Sequence, residues 1–150
     1  MTARGLPALG ILFAALTTSA CGPDAELRPD QRLQEELGFS SREEVHRVVI
    51  TGGETESVTP AEVAVPPGAW VEFVSGDSWV HEIRFELDSL GQDARRFLVE
   101  TDQVASPPLV NMDSRFVVSM EDAPPGRYPF QAEGNGRPAR GAVVVRDGSS

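Results

Sequence analysis

Two imidazoles, one thiol and a surplus of carboxylates are the groups in this chain that could do chemistry. The imidazoles are His46 and His81, and the thiol is Cys21. Asp77 and Glu82 straddle His81 in sequence, and Glu133 is a third carboxylate that could add an oxygen ligand. A metal site from these groups would centre on His81, yet no ligand spacing here is diagnostic. The two histidines could share an ion only if the His46 strand ran beside the His81 strand with both rings facing one way. Acid–base chemistry fares no better. No serine sits in an elbow-like turn, and in so acidic a chain spacing alone singles out no carboxylate pair. The structural readings are therefore favoured: His81 as a histidine bonded to a backbone group, and His46 as a solvent-facing strand residue.

The charge balance excludes some partners. The 150 residues carry 13 basic groups, all arginine, against 23 acidic ones, for a net charge of −10. Such a surface repels phosphate backbones and anionic headgroups, so no nucleic acid is expected as a partner. Solubility accounts for the charge. A lone cysteine forms no intrachain disulfide, so cysteine usage alone does not reveal the compartment.

The position of Cys21 says more than its number. Arg4 supplies a positive start, and Ala8 to Leu16 is an apolar stretch too short to span a bilayer. Thr18-Ser19-Ala20-Cys21 then resembles the lipobox of bacterial lipoprotein signal peptides, although Thr18 stands where that motif prefers leucine. The resemblance implies a signal peptide over 1–20, lipidation of Cys21, and a mature chain tethered to a membrane in the cell envelope, facing the periplasm or the exterior. Gly22 follows the cysteine instead of an aspartate, so inner-membrane retention is not signalled.

Residues 21–44 read as a lipidated tether. Leu33 and Leu37 lie four apart before Gly38, which suits one or two helical turns. Ser40 and Glu43 have capping-box spacing, and Phe39 could fold the segment back on the domain. From Val45 the apolar period becomes two. Runs at Val45–Ile50, Glu62–Val65, Trp70–Val74, Val80–Leu87, Arg115–Met120, Tyr128–Ala132 and Ala142–Arg146 read as strands, separated by Gly/Pro turns. One longer excursion, 88–114, holds a helical pattern over Ser89–Val99, with Asp88 or Ser89 as its cap. The expectation is an all-β Greek-key sandwich over 45–147 with one inserted helix, and a tail over 148–150.

Four stretches give this sandwich a family likeness. Pro60 to Phe73 carries a strand, a Pro-Pro-Gly turn and a Val-Glu-Phe strand. His81 precedes Ile83 and Phe85. Pro125-Gly126-Arg127-Tyr128-Pro129-Phe130 comes next, and Gly141 to Val145 closes the chain. In this order they resemble the cupredoxin family over roughly Val45 to Arg146. The resemblance implies a cupredoxin-type sandwich and, in copper-carrying members, a Cys, a His and often a Met after the tyrosine. Matching Tyr128 and Gly141 puts Ala132 in the cysteine's place, Asn135 in the second histidine's, and Ala139 or Arg140 in the methionine's. Only His81 matches a ligand position. A blue-copper centre needs two imidazoles and a thiolate, so the copper site is degenerate and no cofactor is expected.

By analogy with related folds, a binding rim is expected at Trp79, His81, Asn135 and Arg137. Trp70 is read as core, Trp79 as half exposed. The loop Glu133 to Pro138 does not match a phosphate-binding loop, and its glycines are read as allowing positive φ in a hairpin. Together these readings give a membrane-anchored, non-catalytic binding or assembly module, its partner an envelope protein or small ligand. The alternatives are copper binding or delivery by His81 with oxygen donors, and an extracytoplasmic enzyme.

Overall fold

The computed structural model describes residues 24–148. The expected signal peptide and Cys21 lie outside them. Among the described residues no helix is long and apolar enough to cross a membrane.

Eight strands form two four-stranded sheets. In chain order they are β1 (Val45–Thr51), β2 (Ser57–Thr59), β3 (Glu62–Val65), β4 (Trp70–Ser75), β5 (Glu82–Phe85), β6 (Arg115–Ser119), β7 (Gly126–Glu133) and β8 (Ala139–Val145). The first sheet has the order β2-β1-β4-β6 and the second β3-β8-β7-β5. Each is mixed: β1 runs parallel to β4 and β3 parallel to β8, while the other pairs are antiparallel. The all-β sandwich read from the period-two runs is present. Its extra strand is β2, too short and too exposed to leave an alternating signal.

The inward rows meet in one core. Val48 and Ile50 of β1, Val71 and Phe73 of β4, Ile83 and Phe85 of β5, and Tyr128 and Phe130 of β7 are all buried. Phe73 lies edge-on to Phe130 at 4.9 Å and to Phe85 at 6.2 Å, geometries that suit aromatic quadrupoles. Tyr128 donates its hydroxyl to the Pro124 carbonyl at 2.6 Å, which satisfies the one polar atom that its burial brings inside.

Helix α1 (Gln31–Leu37) is capped by the Asp30 carboxylate, which accepts from the Leu33 N–H at 2.7 Å, and ends at Gly38 in the left-handed conformation. The segment does not hang free. Leu33 and Phe39 pack on Val45, Trp70 and Val117, on the outer face of the first sheet. Trp70, expected in the main core, belongs to this second cluster and packs against Phe39 with ring centroids 4.4 Å apart and the planes tilted by 50°. Ser40 and Glu43 make the contact their spacing announced, but it closes only a turn, because β1 starts at Val45.

Beneath α1 lies a fully buried glutamate. Glu72 accepts from Arg47 at 2.8 Å and from Arg115 at 3.3 Å, and Arg115 reaches on to the Asp30 cap at 3.0 Å. A buried carboxylate persists only when paired in this way.

The inserted helix, α2 (Gln92–Glu100), starts later than expected, with Gly91 and not Asp88 or Ser89 at its cap. Leu87–Ser89 form a separate 3-10 turn, in which the Leu90 N–H donates to the Leu87 carbonyl, and this turn takes the residues that would have capped a longer helix.

Candidate functional site

His81 stands just before β5, one residue after the exposed Val80, and its ring points inward, 1% exposed. Its backbone pairs with Leu109 in both directions, which fixes the ring's direction from outside the sheet. The ring does not bond a backbone group, contrary to the sequence-based expectation. Nδ1 lies 2.9 Å from Glu56 Oε2, and Nε2 lies 2.8 Å from Asp77 Oδ1.

Each carboxylate is itself held by N–H donors. Glu56 is buried, and its Oε1 accepts from the Gly136 N–H at 3.0 Å. Asp77 accepts from the Gly52 N–H at 2.6 Å and from the Trp79 N–H at 2.8 Å. Burial alone would push the Asp77 carboxyl up. The bonds from Gly52, His81 and Trp79 outweigh it and hold the group below the ordinary aspartate value of 3.8. Three loops are thereby tied at one end of the sandwich: the β1–β2 connection, which holds Gly52 and Glu56, the β4–β5 connection, which holds Asp77 and His81, and the β7–β8 hairpin.

The hairpin glycines serve this closure differently from the sequence-based expectation. Neither Gly134 nor Gly136 has positive φ. They are small because the 53–56 segment presses on them. A Cβ at Gly134 would lie 2.5 Å from Glu56 Oε1, and one at Gly136 would collide with the Gly53 carbonyl.

The four residues expected at a rim fall around this network in unequal roles. Trp79 is 48% exposed and lays its indole over Gly52. His81 sits inside. Asn135 is exposed, and Arg137 is exposed while its backbone pairs with Glu54 and Glu56. Of the carboxylates expected as oxygen donors, Asp77 reaches His81, but Glu82 and Glu133 stand on the outward face, opposite each other across β5 and β7. Glu56, which sequence reasoning missed, takes Asp77's counterpart role. It lies 25 residues from His81 in a turn, and no periodic or motif signal marks it.

His46 is a correction. It is buried, not solvent-facing, on the inward row with Val48 and Ile50. Its Nε2 lies 2.6 Å from Glu44 Oε1 without hydrogen-bond alignment. It does not join His81: it stands at the start of β1, whereas the His81 network is tied to Gly52, past that strand's other end.

No family model matches the chain, and no curated protein does. Solved structures similar to it include a purple cupredoxin from Nitrosopumilus maritimus, 19% identical with a TM-score of 0.43, over 67% of this chain and 98% of that one. A mutant plastocyanin of a fern is 19% identical with a TM-score of 0.47, over 67% and 99%. A copper-containing nitrite reductase from Thermus scotoductus is 20% identical with a TM-score of 0.48, over 73% of this chain but only 24% of the reductase. These likenesses are of fold.

The copper that a cupredoxin-type fold implies does not suit the residues present. Ala132 is fully buried opposite Ile83 and offers a methyl group where sulfur is needed. Asn135 brings no imidazole, and Arg140 is turned to solvent, paired with Glu86 at 3.0 Å. Both His81 nitrogens face carboxylate oxygens, which accept hydrogen bonds. A nitrogen that donates there has no lone pair for a metal. Among the described residues, no three His, Cys, Asp or Glu side chains are grouped to hold a metal ion.

Proposed function

We propose that this chain is a lipid-anchored, extracytoplasmic binding or assembly module that works without copper and without catalysis. The single observation that carries the reading is the engagement of both His81 nitrogens, at 2.9 Å and 2.8 Å, by Glu56 and Asp77. The one imidazole at a ligand position acts as a hydrogen-bonded tie between loops, and the end of the sandwich becomes a rigid platform. Support for the anchor comes from the Thr18-Ser19-Ala20-Cys21 run.

Two measurements test this. Cys21→Ser in the full chain is expected to move the protein from the membrane fraction to the soluble one; an unchanged distribution rejects the anchor. Metal analysis of the purified protein after copper loading is expected to find no stoichiometric ion. A blue, one-to-one copper complex lost in His81→Ala rejects the metal-free platform.

A further inference from the structure

The end of β5 carries a surface that neither the core nor the His81 network uses. Leu37, Trp79, Val80, Val99, Val110 and Met112 are the large apolar side chains most exposed among the described residues. Leu37 and Val99 stand singly on helices, which is ordinary. The other four lie in two segments that the His81–Leu109 bridge joins. With His81 opposite Leu109, Val80 stands opposite Val110. His81 and Leu109 face inward, buried, so the two valines face out, 44% and 51% exposed. Trp79, at 48%, and Met112, at 57%, are exposed in the same two segments, both toward the end of the pair where 79 comes opposite 111.

Beside this patch the sheet places like charges together. Glu82 and Glu133 are direct cross-strand partners, an arrangement that costs stability in an isolated sheet. Glu82 has only Arg84, 3.8 Å away and half exposed, and among the described residues no side chain pairs with Glu133. The two glutamates, Val80, Gly134 and Asn135 line a shallow cavity of about 230 Å³. Apolar side chains next to a carboxylate pair with only one long ion pair between them fit a complementary face that brings aliphatic or aromatic groups and a guanidinium or ammonium. A second copy of this chain is a poor fit, since its net charge of −10 repels its like.

We propose that Trp79, Val80, Val110 and Met112, with Glu82 and Glu133, form the docking surface for a partner protein whose own face is apolar with a basic side chain. This rests on the reading of the chain as a binding module and names the surface and the partner's chemistry. The valines supply the contact that excludes water. The glutamates set the register and give the encounter its dependence on salt.

The test uses the full chain in detergent micelles, labelled for NMR, and a capped peptide of alternating leucine and arginine as probe. Shifts are expected at 79–82, 109–112 and 133–135. Binding should weaken about tenfold in Val80→Ser/Val110→Ser, and by a similar factor, with a flatter salt dependence, in Glu82→Gln/Glu133→Gln. Val99→Ser should bind as the parent does. Shifts confined to other acidic faces, equal binding by both double variants, or equal binding of a leucine–glutamate peptide would each overturn the proposal. So would shifts at these residues that follow the concentration of the chain itself, which would make a second copy the occupant. A photo-crosslinker placed in cells at Val110 or at Val99 separates this surface from the broader reading. Crosslinks to a protein from Val99 but not from Val110 remove the surface and leave the binding module standing. Crosslinks from neither remove both.

Discussion

The outer face of the first sheet and the loop end around His81 solve one problem in two ways. Each buries a glutamate, Glu72 in the first and Glu56 in the second. Glu72 is answered by two guanidiniums that stay charged across the accessible pH range, and through Arg115 the pairing reaches the cap of α1. Glu56 is answered by one imidazole and one backbone N–H, and through His81 the pairing reaches Asp77. The first fastens a helix to a sheet. The second fastens loops to one another. His81 takes its role from its neighbours: carboxylates surround it where a metal would need it free.

The largest effect should come from the first region. Arg115→Ala leaves Glu72 buried with Arg47 alone and removes the link to Asp30, so a loss of about 3 kcal/mol is expected in urea denaturation. Replacing Glu72 and Arg115 together by leucine should recover most of that loss. If the single variant costs nothing, the buried pair is not what holds the helix. In the second region, Glu56→Ala leaves the His81 Nδ1 without its partner and the Gly136 N–H without an acceptor. About 2 kcal/mol is expected, together with faster amide exchange at Gly136. Equal exchange in parent and variant would separate Glu56 from loop closure.

Acid should reach both regions, through Asp30 and Asp77. For Asp30, burial pushes the carboxyl up, but the Leu33 N–H and Arg115 outweigh it, so both aspartates sit below their ordinary value. A carboxyl depressed in the folded state adds stability at neutral pH, and that contribution fades as pH falls below the ordinary aspartate range. Asp77→Asn is expected to flatten the acid limb seen at the Gly52 and Trp79 amides and to leave Leu33 unchanged. Burial pushes the Tyr128 hydroxyl up to about 12, so the unfolded chain ionises first, and stability should fall as pH rises from 10 toward that value. Tyr128→Phe should remove this limb. The smallest change is expected for Arg32→Ala, which breaks only the exposed pair with Glu36, about 0.3 kcal/mol.

Much of the architecture is legible in the sequence because it rests on local pattern. The period-two runs mark seven of the strands, and Asp30, Leu33, Leu37 and Gly38 bound α1. What local pattern misses is decided by pairings distant in sequence. Glu56 meets His81 only because one end of the sandwich gathers three loops, and no spacing along the chain encodes that meeting, whereas Asp77 lies four residues from His81 in the same loop. His46 reads as an outward polar residue, yet Val45, its neighbour, is the one covered by Leu33 and Phe39, and so His46 falls on the inward row. The hairpin glycines stand out in the sequence, but dihedral freedom is the wrong reason for them; crowding by a neighbouring segment is what demands them. Ala132 is the strongest sequence clue, because an absent thiol is legible without any structure.

The parallel pairing of β3 with β8 also governs when the molecule can assemble. Glu62 waits for Ala142, and Val65 for Val145, so the second sheet lacks one of its edges until β8 has left the ribosome. A nascent chain must keep the apolar row of β7 from wrong partners during that interval. Folding dominated by such distant pairings is slow, and a truncation that removes β8 alone should leave β3 and β7 as open edges prone to aggregation.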